Sequence, residues 1–149
     1  MALIDLIGAD VVKVPLAGKS KDEVIRELLD VLAHAGRLDD QRKAYEAVLA
    51  REALGSTGLE NGIAVPHAKT TAVKDLTIAI GVAASGIDFQ ALDGKPSTLF
   101  FLILAPPDKS GPHIEALAEI ARMTRSTAFC RAVAGARSAE DVVELFREE

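Results

Sequence analysis

The sequence predicts an α/β fold: a single three-layer α/β/α domain with a mixed β-sheet flanked by helices. Segments with helical apolar spacing alternate along the chain with short apolar or alternating ones, the order expected when helices cover a sheet. Thr98 to Ala105 reads T-L-F-F-L-I-L-A, an unbroken apolar run that fits a central strand covered on both faces. The 149 residues, 49% of them hydrophobic, supply one well-formed core and no obvious second domain.

Val11, Val12 and Val14 predict an opening strand, ended by Pro15 and Gly18. Gly18-Lys19-Ser20 has the ending of a phosphate-binding P-loop, but Lys13 stands where that motif requires glycine, so the motif is rejected. Ser20 and Glu23 instead form a capping box. They open a helix that places Val24, Ile25, Leu28, Leu29 and Leu32 on one face and stops near Gly36. His34 falls near its C-terminus, where the dipole favours a partly charged imidazole, and its role is structural at most. A second helix is expected from about Asp40 to Glu52, with Ala44, Tyr45, Val48 and Leu49 on one face and Arg51 at its end.

Ile63-Ala64-Val65 reads as a short strand, and Pro66 fixes φ at its end, so that His67 is expected to leave the sheet on a rigid stem. Leu76 to Val82 is the next strand. Gly86 to Phe89 predicts a further short one, followed by a tight turn at Asp93-Gly94. After the central run, Pro106-Pro107 stops the strand. Ser110-Gly111-Pro112 then opens a helix with proline at the first helical position and His113 in the first turn, beside unpaired N–H groups. Ile114, Leu117, Ala118, Ile120 and Ala121 are expected to face inward, the helix ending near Thr124 to Ser126. Thr127 to Val133 forms a further helical turn or two that buries Phe129 and Cys130. Ser138 and Asp141 start a C-terminal helix carrying Val142, Val143, Leu145 and Phe146.

A net charge of −5 and no isolated Lys/Arg cluster argue against nucleic-acid binding. The longest apolar runs fall far short of the roughly 20 residues that cross a bilayer. Met1-Ala2-Leu3-Ile4-Asp5 also lacks the basic and apolar segments of a signal peptide, so a cytoplasmic location is expected. The single cysteine, Cys130, excludes an internal disulfide and a cysteine metal cluster.

The chemistry concentrates between Arg51 and His67. Gly55, Gly58 and Gly62 bracket Ser56 and Thr57, so the backbone can turn tightly and aim N–H groups and hydroxyls into one small space suited to an anion. Gly55-Ser56-Thr57-Gly58 is therefore the candidate phosphate-binding loop. A histidine fixed behind a proline can act as a nucleophile, because neutral imidazole keeps a free ring nitrogen near neutral pH. Arg51, sixteen positions earlier, offers a planar fork that matches phosphate oxygens. An isolated arginine at a helix end is usually solvated and a lone histidine usually structural; their combination with the loop reverses that weighing. Phosphoryl transfer needs in-line placement and charge stabilisation, which Arg51 and the loop can supply. No acidic triad or Asp pair marks a magnesium site, so neither metal, nucleotide nor other cofactor is implied. His113, kept neutral by the positive end of its helix, is placed to donate a hydrogen bond to a phosphate on His67.

The stretch G-S-T-G-L-x-x-G-I-A-V-P-H resembles the active-site signature of the IIA components of the bacterial sugar phosphotransferase system, mannitol/fructose type, including the nitrogen-regulatory IIA proteins. In that family an arginine lies sixteen residues before the phosphorylated histidine and a second active-site histidine lies downstream. Arg51 keeps the first spacing, and His113, in P-P-D-K-S-G-P-H, falls where the second is expected. The resemblance extends over nearly the whole chain, residues 1–149 being expected to form one such domain. It implies that His67 takes a phosphoryl group from HPr or its nitrogen-branch equivalent, with Arg51 and His113 in support. His67 then passes the group to a cysteine on a IIB component or holds it as a signal read by regulatory target proteins. No IIB or membrane IIC sequence is recognisable within the chain, so the acceptor is expected to be a separate protein.

Two other readings remain. A metal-dependent hydrolase would use His67 and His113 with a carboxylate such as Glu115, but there is no H-E-x-x-H pattern and a Gly-Ser-Thr loop suits anions. A phosphorylation-independent protein-binding module would keep the fold alone, which intact His67 and Arg51 argue against.

Overall fold

Strand β5 (Ser97–Ala105) is the middle of a five-stranded sheet ordered β1-β4-β5-β2, with β3 also hydrogen-bonded to β5. The computed structural model describes residues 3–148, so Met1 and Ala2 of the N-terminal stretch, and Glu149, lie outside the described residues. Strand β1 (Val12–Lys13) pairs parallel with β4 (Thr77–Ile87), and β4 pairs antiparallel with β5. Strands β2 (Ile63–Ala64) and β3 (His67–Lys69) both run parallel to β5, which makes the sheet mixed.

Alternation along β5 sends Leu99, Phe101, Ile103 and Ala105 to one face and Phe100, Leu102 and Leu104 to the other. Both faces are apolar, so both need helices. The first packs against α3 (Ser110–Met123), α4 (Thr127–Ala134) and α5 (Ala139–Arg147), the second against α1 (Lys21–His34) and α2 (Gln41–Glu52). This is the expected three-layer arrangement. Among the described residues no helix is long and apolar enough to cross a membrane.

Local signals set most helix starts. Ser20, Asp40, Ser126 and Ser138 each accept a backbone N–H from the third residue beyond, at 3.1–3.2 Å. Val24, Ile25, Leu28, Leu29 and Leu32 are all fully buried. The turn that imitates a P-loop ending does bind an anion, the chain's own: the N–H groups of Ala17 and Gly18 donate to the Glu27 carboxylate at 2.8–3.0 Å.

Four expectations need correction. Residues Ala9–Val11 form a 3-10 turn, leaving only Val12 and Lys13 to pair as the opening strand. No separate strand occupies Gly86 to Phe89, because β4 continues to Ile87 through an irregularity between Val82 and Ile87, where Gly86 takes a φ of +82°. His67 does not leave the sheet: it is the first residue of β3. Pro66 has no N–H to give the ladder and so interrupts the strand, but Ile63 faces Leu99 and His67 faces Ile103, one unbroken register.

The fourth concerns α3. Its N-cap is Lys109, so Pro112 is the third helical residue and His113 the fourth, with the His113 N–H already donating to the Lys109 carbonyl at 3.4 Å. The face it buries is His113, Ala116, Ile120 and Met123, while Ile114 is 66% exposed, Ala118 and Ala121 are exposed and Leu117 is half-buried. Apolar residues occupy both sides of this helix, so periodicity alone does not choose the buried one.

Candidate active site

Successive side chains on a strand alternate between faces, so Ile63, Val65, His67 and Lys69 share the side of the sheet that α3 covers. The His67 ring is half-buried and hydrogen-bonded to the Val65 carbonyl through Nδ1 at 2.8 Å. A carbonyl can only accept, so Nδ1 carries the proton and Nε2 keeps the free lone pair. His67 borders a cavity of about 250 Å³ together with Arg51, Ser56, Thr57, Leu117 and Ala121.

His113, on α3, packs against His67, the two imidazoles meeting edge to face with centroids 5.5 Å apart. It is only 4% exposed, and its Nε2 is buried with no hydrogen-bond partner among the described residues. Burial holds its pKa below the ordinary imidazole value, and positive charge on His67 and Lys69 pushes in the same direction. The expected direction holds, with burial as the main cause. The neutral ring leaves a buried polar nitrogen unsatisfied, at a cost of about 1–3 kcal/mol.

Arg51 occupies the last turn of α2 and is half-buried, its Nη1–H donating to the Gly55 carbonyl at 2.9 Å. Among the described residues no carboxylate forms an ion pair with it. The Gly55–Gly58 loop is pressed against the 89–91 segment: a Cβ on Gly58 would stand 2.9 Å from the Ala91 Cα and 3.0 Å from the Phe89 carbonyl oxygen. Ser56 donates its hydroxyl to that carbonyl at 2.7 Å and accepts the Gly58 N–H at 3.0 Å. Thr57 gives both its N–H and its hydroxyl to the Glu52 carboxylate. The loop thus borders the cavity, but both hydroxyls and the N–H groups of Thr57 and Gly58 serve its own frame.

Of the residues singled out in the sequence, Arg51, Ser56, Thr57 and His67 border one cavity, and His113 packs against the His67 ring. The structure does not bring Glu115 to the two histidines: that side chain is exposed and borders a different cavity, with Leu3, Leu6 and Leu76. Among the described residues no three His, Cys, Asp or Glu side chains gather as a metal-holding group. Two residues near the site escaped the sequence reading. Lys69 had a signal, its period-2 relation to His67, whereas Glu52 had none beyond its place next to Arg51.

A family model described as the phosphoenolpyruvate-dependent sugar phosphotransferase system, EIIA 2, matches residues 5–149. The chain is 34% identical over 148 residues to the fructose-specific EIIABC component of Bacillus subtilis; the match covers 99% of this chain but only 23% of that protein. It is 44% identical over 103 residues to the fructose-specific EIIA component of Haloferax volcanii, covering 69% of this chain and 67% of that one. Among solved structures, the nitrogen regulatory protein IIA-Ntr of Neisseria meningitidis is 29% identical, with a TM-score of 0.88 over 97% of this chain and 98% of that one.

Proposed function

Because the chain belongs to the EIIA 2 family of the phosphoenolpyruvate-dependent sugar phosphotransferase system, we propose that it is a phosphocarrier that takes up a phosphoryl group on Nε2 of His67. The observation that carries this reading is the bond from His67 Nδ1–H to the Val65 carbonyl. It leaves the nucleophilic lone pair on Nε2, on a ring that borders a cavity shared with Arg51. The donor is a phosphohistidine of HPr or of its nitrogen-branch equivalent. The Nε2 lone pair forms the new N–P bond as the donor's N–P bond breaks, and that electron pair returns to the donor ring. No proton needs to move, since Nδ1–H stays on Val65 and disperses the positive charge of the phosphorylated ring.

Arg51 would hold two phosphoryl oxygens, its guanidinium being anchored at one corner by Gly55 and otherwise uncommitted to any acid. His113, neutral and with a buried unpartnered Nε2, donates to a third oxygen in the tautomer that protonates that nitrogen. Ser56 and Thr57 shape the wall of the phosphate-binding loop between Gly55 and Gly58. The next step is attack on phosphorus by a IIB cysteine thiolate, or retention of the group as a regulatory signal; both use the same His67 adduct. The test is incubation with phosphoenolpyruvate, Enzyme I and either HPr, followed by mass measurement. The proposal expects a gain of one phosphoryl group that His67→Ala abolishes, and is wrong if wild type gains none from either donor.

A further inference from the structure

Glu52 follows Arg51 directly, yet its side chain is 5% exposed. Its carboxylate pairs with the Lys21 ammonium at 2.6 Å, from the first residue of α1. Lys21 is held in turn by Gln90 Oε1, which accepts from it at 3.3 Å, and by the Phe89 ring, whose centroid lies 4.8 Å away. The other donors to Glu52 are the N–H and hydroxyl of Thr57. From Thr57 the bonding continues: its carbonyl accepts the Val65 N–H at 3.0 Å, and the Val65 carbonyl accepts His67 Nδ1–H at 2.8 Å. An unbroken series of hydrogen bonds therefore leads from the Glu52 carboxylate, paired with a half-buried lysine, to the ring nitrogen that decides which tautomer His67 adopts. The same loop is gripped twice by adjacent residues of α2, Arg51 on Gly55 and Glu52 on Thr57.

We propose that Glu52 is a positioning residue for His67: locked by Lys21, it fixes Thr57, and through Thr57 and Val65 it holds the imidazole in the Nδ1–H tautomer with Nε2 free. This rests on the assignment of His67 as the phosphoryl acceptor. A pair whose carboxylate is buried is a poor source of net stability, because desolvation of that charge offsets the attraction. Its value here is geometric. Free imidazole side chains in water prefer the opposite tautomer, with the proton on Nε2, so slackening the Val65 carbonyl blocks the nucleophile as well as misaiming it.

The experiment compares wild type with Glu52→Ala, Thr57→Val and Thr57→Ser, each checked by circular dichroism. The His67 tautomer is read from ¹⁵N chemical shifts of the unphosphorylated protein, and phosphotransfer from phospho-HPr by rapid quench. Glu52→Ala and Thr57→Val should shift His67 towards Nε2–H and slow transfer by about 10- to 100-fold, the range for displacing a reacting group by a fraction of its bond reach. Thr57→Ser, which keeps the hydroxyl, should restore both. If Glu52→Ala does not fold, the Thr57 pair decides alone. A His67 tautomer unchanged in Thr57→Val and in folded Glu52→Ala overturns the proposal, whatever happens to stability or rate. If wild type is never phosphorylated at His67, the functional assignment fails while the tautomer measurement still decides whether Glu52 positions the ring.

Discussion

The rings of His67 and His113 stand 76° apart in plane with centroids 5.5 Å from each other, one at the head of an edge strand and the other in the fourth position of a helix. Helix α3 follows β5 directly, and β3 lies alongside β5, so the same central strand sets the spacing of both imidazoles. The His67 ring borders the cavity and is half-buried, whereas His113 is 4% exposed with its Nε2 unpartnered among the described residues.

His113→Ala should therefore still be phosphorylated at His67, but should receive and deliver the group more slowly than wild type. Rapid-quench time courses in both directions measure this, with circular dichroism establishing equal folding. Identical rates would leave His113 a packing residue. Complete loss of phosphorylation in a folded variant would move the nucleophile to His113.

The same burial gives a pH dependence of stability. The folded-state pKa of His113 lies below the ordinary value of 6.5, so the unfolded chain takes up its proton first. The contribution is thus fully present above about pH 6.5 and is lost as pH falls from there towards the depressed folded value. Urea midpoints from about pH 7.5 to about pH 5 should fall more steeply for wild type than for His113→Gln. Parallel curves would mean that His113 keeps its ordinary affinity for protons.

Arg51→Lys should fold normally and transfer slowly, since lysine offers a point charge in place of the planar fork proposed to hold the phosphate, a fork that also donates to the Gly55 carbonyl. The loss expected for one charge-assisted donor is on the order of 10²-fold in rate. An unchanged rate in a folded Arg51→Lys protein removes Arg51 from the site.

Apolar residues on the outer side of α3 explain themselves if a macromolecule docks there. Ile114 lies one turn from Leu117, which borders the His67 cavity, and transient interfaces of this kind are small, below roughly 1,200 Å². Ile114→Asp should leave stability within about 0.5 kcal/mol of wild type but weaken binding of HPr by calorimetry. Unaltered affinity would place the docking face elsewhere.

What the sequence made legible is local or periodic. Ser20 and Ser138 announce their helices because a cap needs only a side chain and an N–H three residues on. The run in β5 announces a covered strand, and Arg51 and His67, each at an element end, border one cavity. The rest depended on partners distant in sequence. Strand β3 was illegible because His67-Ala68-Lys69 is too short to show a period and follows a proline, and only its register on Ile103 reveals it. The buried face of α3 was misread because its exposed side is equally apolar. The donors of Ser56 and Thr57 looked free because nothing in the local sequence shows that Phe89 and Glu52 accept them.

The most direct test is to phosphorylate ¹⁵N-histidine-labelled protein with phosphoenolpyruvate, Enzyme I and HPr and to record the ¹H–¹⁵N correlation spectrum of the imidazoles. A single adduct is predicted, acid-labile and alkali-stable, with phosphorus on Nε2 of His67 and the proton retained on Nδ1. Phosphorus on Nδ1 of His67, on His113, or on any residue of a His67→Ala protein would contradict it.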